Sequence, residues 1–384
     1  MRLPLAAGHP QDVGALAVTQ RPYGGAMTAT TGVPAVDQLV DWQVAATTAR
    51  RLVRPGPEVS AAEAADVVAE LRADAAIARS HVASITRLDA PATRARVLVI
   101  DRPGWVDANL IMLRAMLEPV VDRLTQRRSP SALVASVGSK VTGAEAGGLL
   151  AVLSGKVLGQ YDIAPGAEPR LLLVAPNVVG VERELDVVPA DFRLWVCLHE
   201  ETHRVQFTAV PWLRDFVLGE AQGLASDLLP DPASLGRRLE ELARAVPEVL
   251  RGEGGSLVEI LATPEQRARM ARLTAVMSLL EGHADVVMDD VGPQVVGTVE
   301  QIRSRFQARR AGRGGMSGSM DRLLRRLLGL EAKMRQYRDG ARFVRAAVDA
   351  VGMDGFNRVW TSPETLLRPT EIEDPKAWLA RVHG

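Results

Sequence analysis

The chain has 384 residues with 47% hydrophobic and 24% charged side chains, a composition that supports a packed core and excludes a disordered protein. Its 46 basic and 46 acidic residues cancel, which excludes nucleic-acid binding by bulk charge, and a single cysteine, Cys197, excludes a disulfide framework or a cysteine-rich zinc finger. No apolar run reaches the ~18 residues of a spanning helix, and Leu3-Pro4-Leu5-Ala6-Ala7 is too short for a signal-peptide core. The expectation is a cytoplasmic protein with neither a nucleic-acid nor a membrane partner.

Residues 1–34 mix Gly, Pro, Thr and Ala without periodicity and predict a disordered tail, with Met27 as a possible start. Apolar positions from Val36 to Leu52 fit a helix that ends at Arg54-Pro55-Gly56-Pro57. Ser60 followed by Glu63 reads as a capping box opening a helix over 60–80. Arg96-Val97-Leu98-Val99-Ile100 predicts a strand, closed by Asp101-Arg102-Pro103-Gly104. Helical patterns cover 105–126 and 131–160. Leu171-Leu172-Leu173-Val174 predicts a second strand, closed by Ala175-Pro176-Asn177. Pro189 opens a helix through Ala209, and Pro211 follows it. More helix is expected at 212–227, 233–248, 264–290 and 321–351, with a flexible loop at 308–320. The fold class is therefore mainly α with a small β component. An ordered region over 35–384 follows the tail, softly divided into a helical/β part (35–186) and a helical part (187–384).

His199-Glu200-Glu201-Thr202-His203 carries the chemistry. Residues i and i+4 share a helix face, so both imidazoles can reach one metal ion at about 2.0–2.1 Å. Glu200 lies about 100° round the helix from His199, placed to meet a metal-activated water without ligating the metal. A third ligand is needed. The longer motif that takes it from the same segment requires Gly at 206 and His at 209; Gln206 and Ala209 exclude that form. A carboxylate from a second helix is the alternative, and Leu279-Leu280-Glu281-Gly282-His283-Ala284-Asp285 supplies one. Glu281 and Asp285 share a face. His283 lies about 200° from Glu281, so the two do not easily face one metal, and Glu281 is preferred. His283 then lines the cleft or lies at the surface. Cys197, Trp195, Trp212 and Phe207 read as core residues, and Arg204 and Gln206 as helix-packing or salt-bridge residues. Asp289 and Asp290 read as solvated or capping carboxylates, with a second cation as the alternative.

The segment Leu194 to Leu213, containing this motif, resembles the actinobacterial zincin-like metallopeptidases, a family also labelled coenzyme-F420-biosynthesis-associated. Glu281-Gly282-His283-Ala284-Asp285-Val286-Val287-Met288-Asp289, Gln336 to Val344 and Gly352 to Trp360 carry the same resemblance, which extends over residues 36–383. It implies a zincin-like fold with the motif helix in the core and a Zn2+ site. The F420 label is an association, not an activity. The Glu281/Asp285 pair is similar to that of gluzincins, in which the Glu binds zinc and the Asp holds a ligand histidine. In that frame His199, His203 and Glu281 are ligands, Glu200 is the general base, and Asp285 stands behind the ligands, with His283 nearby. Tyr337, His283 and Arg342 are candidates for stabilising the oxyanion; Tyr337 is taken first among the three, and the stronger alternative for it is a tyrosine packed on the zinc domain. The function implied is a zinc-dependent hydrolase acting on a peptide or small amide. The alternative is a zinc-containing binding or scaffold protein with a structural or vestigial site. Oligomeric state is not legible.

Overall fold

A strand with four apolar residues in a row has no face to offer water, so it belongs at the centre of a covered sheet. The computed structural model describes residues 35–90, 96–125, 132–228, 262–310 and 330–384. In it β3 (Arg170–Val174) is that strand, with Leu171, Leu172, Leu173 and Val174 fully buried. β1 (Arg96–Ile100) pairs with it in parallel, and β2 (Gly159–Asp162) pairs antiparallel on the other side, giving the order β1-β3-β2. β2 corrects the helix expected over 131–160. Gly-Gln-Tyr-Asp has no β-branched residue, and pairing with β3 supplies what its composition lacks.

Twelve α-helices are described. α1 (Ala35–Leu39) and α2 (Trp42–Leu52) precede α3 (Ala61–Thr86). Ser60 caps α3 by accepting from the Glu63 N–H at 3.1 Å, but the Glu63 carboxylate turns to Arg183 at 2.7 Å, so only half of the capping box forms. α4 (Arg102–Thr125) begins in the segment expected to be a turn, because Asp101 caps it through the Gly104 N–H and Pro103 suits a first turn. α5 (Ala132–Ser154) follows. α6 (Ala175–Leu185) likewise starts where a strand terminator was expected, with Pro176 in its first turn. α7 (Pro189–Ala209) and α8 (Pro211–Leu228) have nearly the bounds expected. α9 (Pro264–Val291) opens with a complete capping box between Thr263 and Gln266. α10 (Val299–Arg310), α11 (Leu330–Phe356) and α12 (Pro375–His383) complete the set. The expected tail over 1–34, helix over 233–248, loop beyond residue 310 and start of the 321–351 helix lie outside the described residues. No described helix is long and apolar enough to cross a membrane.

The described residues belong to one unit. α7 runs through its interior. Phe192, Trp195, Val196, Cys197 and Leu198 pack on Leu71, Ala75 and Ala78 of α3, on α6 and on the end of α9. A second core joins the start of α8 to α9, α11 and Trp378 of α12. α9 and α11 cross at Gly282 and Gly340, where a Cβ on either would collide with the other helix's backbone. This close crossing fixes the turn of α9 that carries Glu281 and His283.

Candidate metal centre

The expected faces of α7 and α9 meet. His199 and His203 direct their Nε2 atoms toward each other at 3.1 Å. The Glu281 carboxylate of α9 lies 3.7 Å from each, through Oε2 to His199 and Oε1 to His203. Tetrahedral ligands at about 2.0–2.1 Å from one ion stand roughly 3.3 Å apart. The spacing and the donor set both fit a zinc ion. These three form the group able to hold a metal among the described residues, and each is partly open to solvent.

Glu200 is buried beside this group. Burial raises its carboxyl to about 7, with His203 lowering it and Glu281 raising it further. A bound dication beside it would oppose that rise. Its side chain lies on Gly159 of β2, where a Cβ would come within 2.5 Å of Cγ and Cδ. Glycine there lets the edge strand of the sheet approach the carboxylate.

Behind the histidines, Gln206 does more than the helix packing or ion pairing expected of it. Its Oε1 accepts from His203 Nδ1 at 2.9 Å, and its Nε2 donates to the Leu280 carbonyl at 2.9 Å and to His283 Nδ1 at 3.0 Å. An HxxQ spacing puts Gln206 one turn beyond His203, a signal that could have pointed to it. His199 Nδ1 rests 3.2 Å from Met288 Sδ.

His283 is fully buried, neither in the cleft nor at the surface. It is packed near Phe356 and Trp360, and its Nε2 has no hydrogen-bond partner. Burial, with His203 adding to it, lowers its pKa to about 3, so the ring is neutral. Asp285 lies one turn beyond Glu281. Its backbone carbonyl accepts from Arg303, whose guanidinium burial holds below its usual range while the Asp285 charge opposes that shift. Tyr337 is carried by α11, and its side chain lies outside the described residues. Arg342 is mostly exposed and pairs with Asp339 at 3.4 Å. Asp289 pairs with Arg303, and Asp290 with Arg345 at 2.8 Å, so arginines take the place considered for a second cation. Cys197 is buried against the Leu71 carbonyl, and burial holds its thiol well above the usual range. Trp195 is a core residue, and Phe207 and Trp212 pack partly buried on the second core.

The family model for zincin-like metallopeptidases matches residues 40–379. A crystal structure from Chloroflexus aurantiacus, described as that of "a putative hydrolase with a novel fold", is similar at 30% identity and a TM-score of 0.63. The likeness covers 90% of this chain and 99% of that one. No curated protein matches.

Proposed function

Because the chain belongs to the zincin-like metallopeptidase family, we propose that it is a zinc-dependent hydrolase cleaving peptide or small amide bonds. The observation that carries this reading is the convergence of His199, His203 and Glu281 beside the buried carboxylate of Glu200. The first three are the proposed ligands and Glu200 the proposed general base. Zinc held by these three side chains would supply a Lewis acid able to polarise the scissile carbonyl and acidify water. Glu200 takes the proton of the attacking water and delivers it to the departing amine. Burial suits it to both roles, because it favours the protonated carboxyl while the charge of a bound cation would favour the carboxylate, so that the group can take a proton and give it up.

A group of three protein ligands supports catalysis over a closed structural site, which takes four. β2 is an edge strand of the described sheet and passes over Glu200 at Gly159. That placement supports an extended peptide pairing its backbone with the β2 edge. Asp285 is proposed to steady His199, whose Nδ1 lies against Met288 on the next turn of α9. Tyr337 is proposed as the oxyanion donor, since α11 packs along the helix that carries Glu281. A cytoplasmic location belongs to the same reading.

Metal content by mass spectrometry tests the core of it. Wild type should hold about one zinc per chain, lost in Glu281→Ala and kept in His283→Ala. A wild-type protein that takes up no zinc after reconstitution overturns the reading. Zinc binding without turnover of any peptide or amide would move the protein to the scaffold class.

A further inference from the structure

Metal-binding histidines are held by whatever their second ring nitrogen donates to, commonly a carboxylate, a backbone carbonyl or water. His203 has a different partner, a buried side-chain amide that reaches across to α9. We propose that Gln206 is a positioning residue. It sets the tautomer of His203 and ties that ring to the backbone of α9 one residue before Glu281. The inference rests on the reading that these side chains form the metal site.

Hydrogen-bond polarity makes the argument. The Leu280 carbonyl can only accept, so the Gln206 atom 2.9 Å from it must be the amide nitrogen. The amide's other N–H then reaches His283 Nδ1 at 3.0 Å, which accepts. The amide oxygen is left facing His203 Nδ1 at 2.9 Å, and an oxygen there can only accept as well. His203 must therefore carry its hydrogen on Nδ1, the minority form of a free neutral imidazole. Its Nε2 keeps a lone pair aimed at His199 Nε2 and Glu281.

The same polarity places the hydrogen of His283 on Nε2, the buried atom without a partner. The fold tolerates that unmet donor while using the other nitrogen of the ring to hold the amide. A carboxylate at 206 could not replace Gln206, because one of its oxygens would face the Leu280 carbonyl oxygen. An amide also holds the imidazole without adding negative charge to it, which leaves the ring a less basic ligand than a carboxylate partner would.

Two measurements test the proposal. Long-range proton–nitrogen NMR on chelator-treated, 15N-labelled wild type at pH 8 should show His203 protonated on Nδ1 and bare on Nε2. The opposite tautomer overturns it. This readout needs no metal, so it stands even if wild type binds no zinc and the hydrolase reading fails. Chelator competition with zinc alone gives the second readout. Gln206→Met should weaken zinc binding by about 10–100-fold, and His283→Phe, which leaves the Leu280 carbonyl in place, by less than about 3-fold. Equal losses in the two variants would mean general loosening of the core, and would also overturn the proposal.

Discussion

Glu200 and Glu201 are neighbours on α7 and both are buried, but they face opposite surroundings. Glu201 meets Arg204, one turn ahead, at 2.6–2.8 Å, and Arg79 of α3 at 3.5 Å. Glu200 lies on Gly159 and feels the charges of His203 and Glu281, and burial pushes its carboxyl up to about 7. One face of the helix thus neutralises its carboxylate with a guanidinium to hold α7 in place. The other keeps a carboxyl that burial pushes toward its protonated form, beside a trio that can accept a cation.

Replacing each carboxylate by its amide tests this contrast at its widest. Glu200→Gln should cost about 10^2–10^4-fold in hydrolysis, measured on any substrate found by screening, with zinc content and melting temperature close to wild type. Glu201→Gln should do the reverse. It leaves Arg204 buried without its carboxylate, and a urea melt should show a loss of about 3–5 kcal/mol with zinc per folded chain unchanged. An equal activity loss in both variants would erase the difference between the two faces.

Asp74 of α3 sharpens the comparison on a smaller scale. Burial, with Glu70 adding to it and Arg193 opposing, raises its pKa from 3.8 to about 6. Arg193 is itself engaged by Glu182 and Glu70. Since the folded pKa exceeds the unfolded one, the protonated acid favours the fold. That contribution is complete below about pH 3.8 and is lost as pH rises through about 6. Asp74→Asn should remove this slope and gain about 1–2 kcal/mol at pH 8, with little change at pH 4, in paired denaturant melts. A gain of the same size at both pH values would assign the effect to packing instead.

Much of the candidate site was legible because it depends on local periodicity. The spacing of His199 and His203 and the face shared by Glu281 and Asp285 follow from one helix turn each. Pro189 marks the start of α7 and Pro211 the start of α8. What was missed depends on tertiary partners. β2 is a strand because β3 lies beside it, not because Gly-Gln-Tyr-Asp prefers to be one. Pro176 looked like a terminator because proline marks a helix's first turn as readily as a strand's end. Glu63 pairs with Arg183, distant in sequence, rather than closing its own capping box. Gln206 gains its meaning only from a carbonyl that folding brings to it from α9. His283 was expected in the cleft or at the surface, and burial against Phe356 and Trp360 could not be read from its helix face alone.

The glycine crossing of α9 and α11 sets how far the site can tolerate sequence drift. Where Gly282 meets Gly340 backbone rests on backbone, so the interaxial distance depends on no side-chain volume. Leu279, Leu280, Phe343 and Val344 in the surrounding core can change size and alter stability while the crossing keeps its register. A methyl group at either glycine has no such latitude, since no neighbouring rotamer can move aside to receive it. The placement of Glu281 is thereby insulated from most changes in the core around it and exposed to changes at two residues.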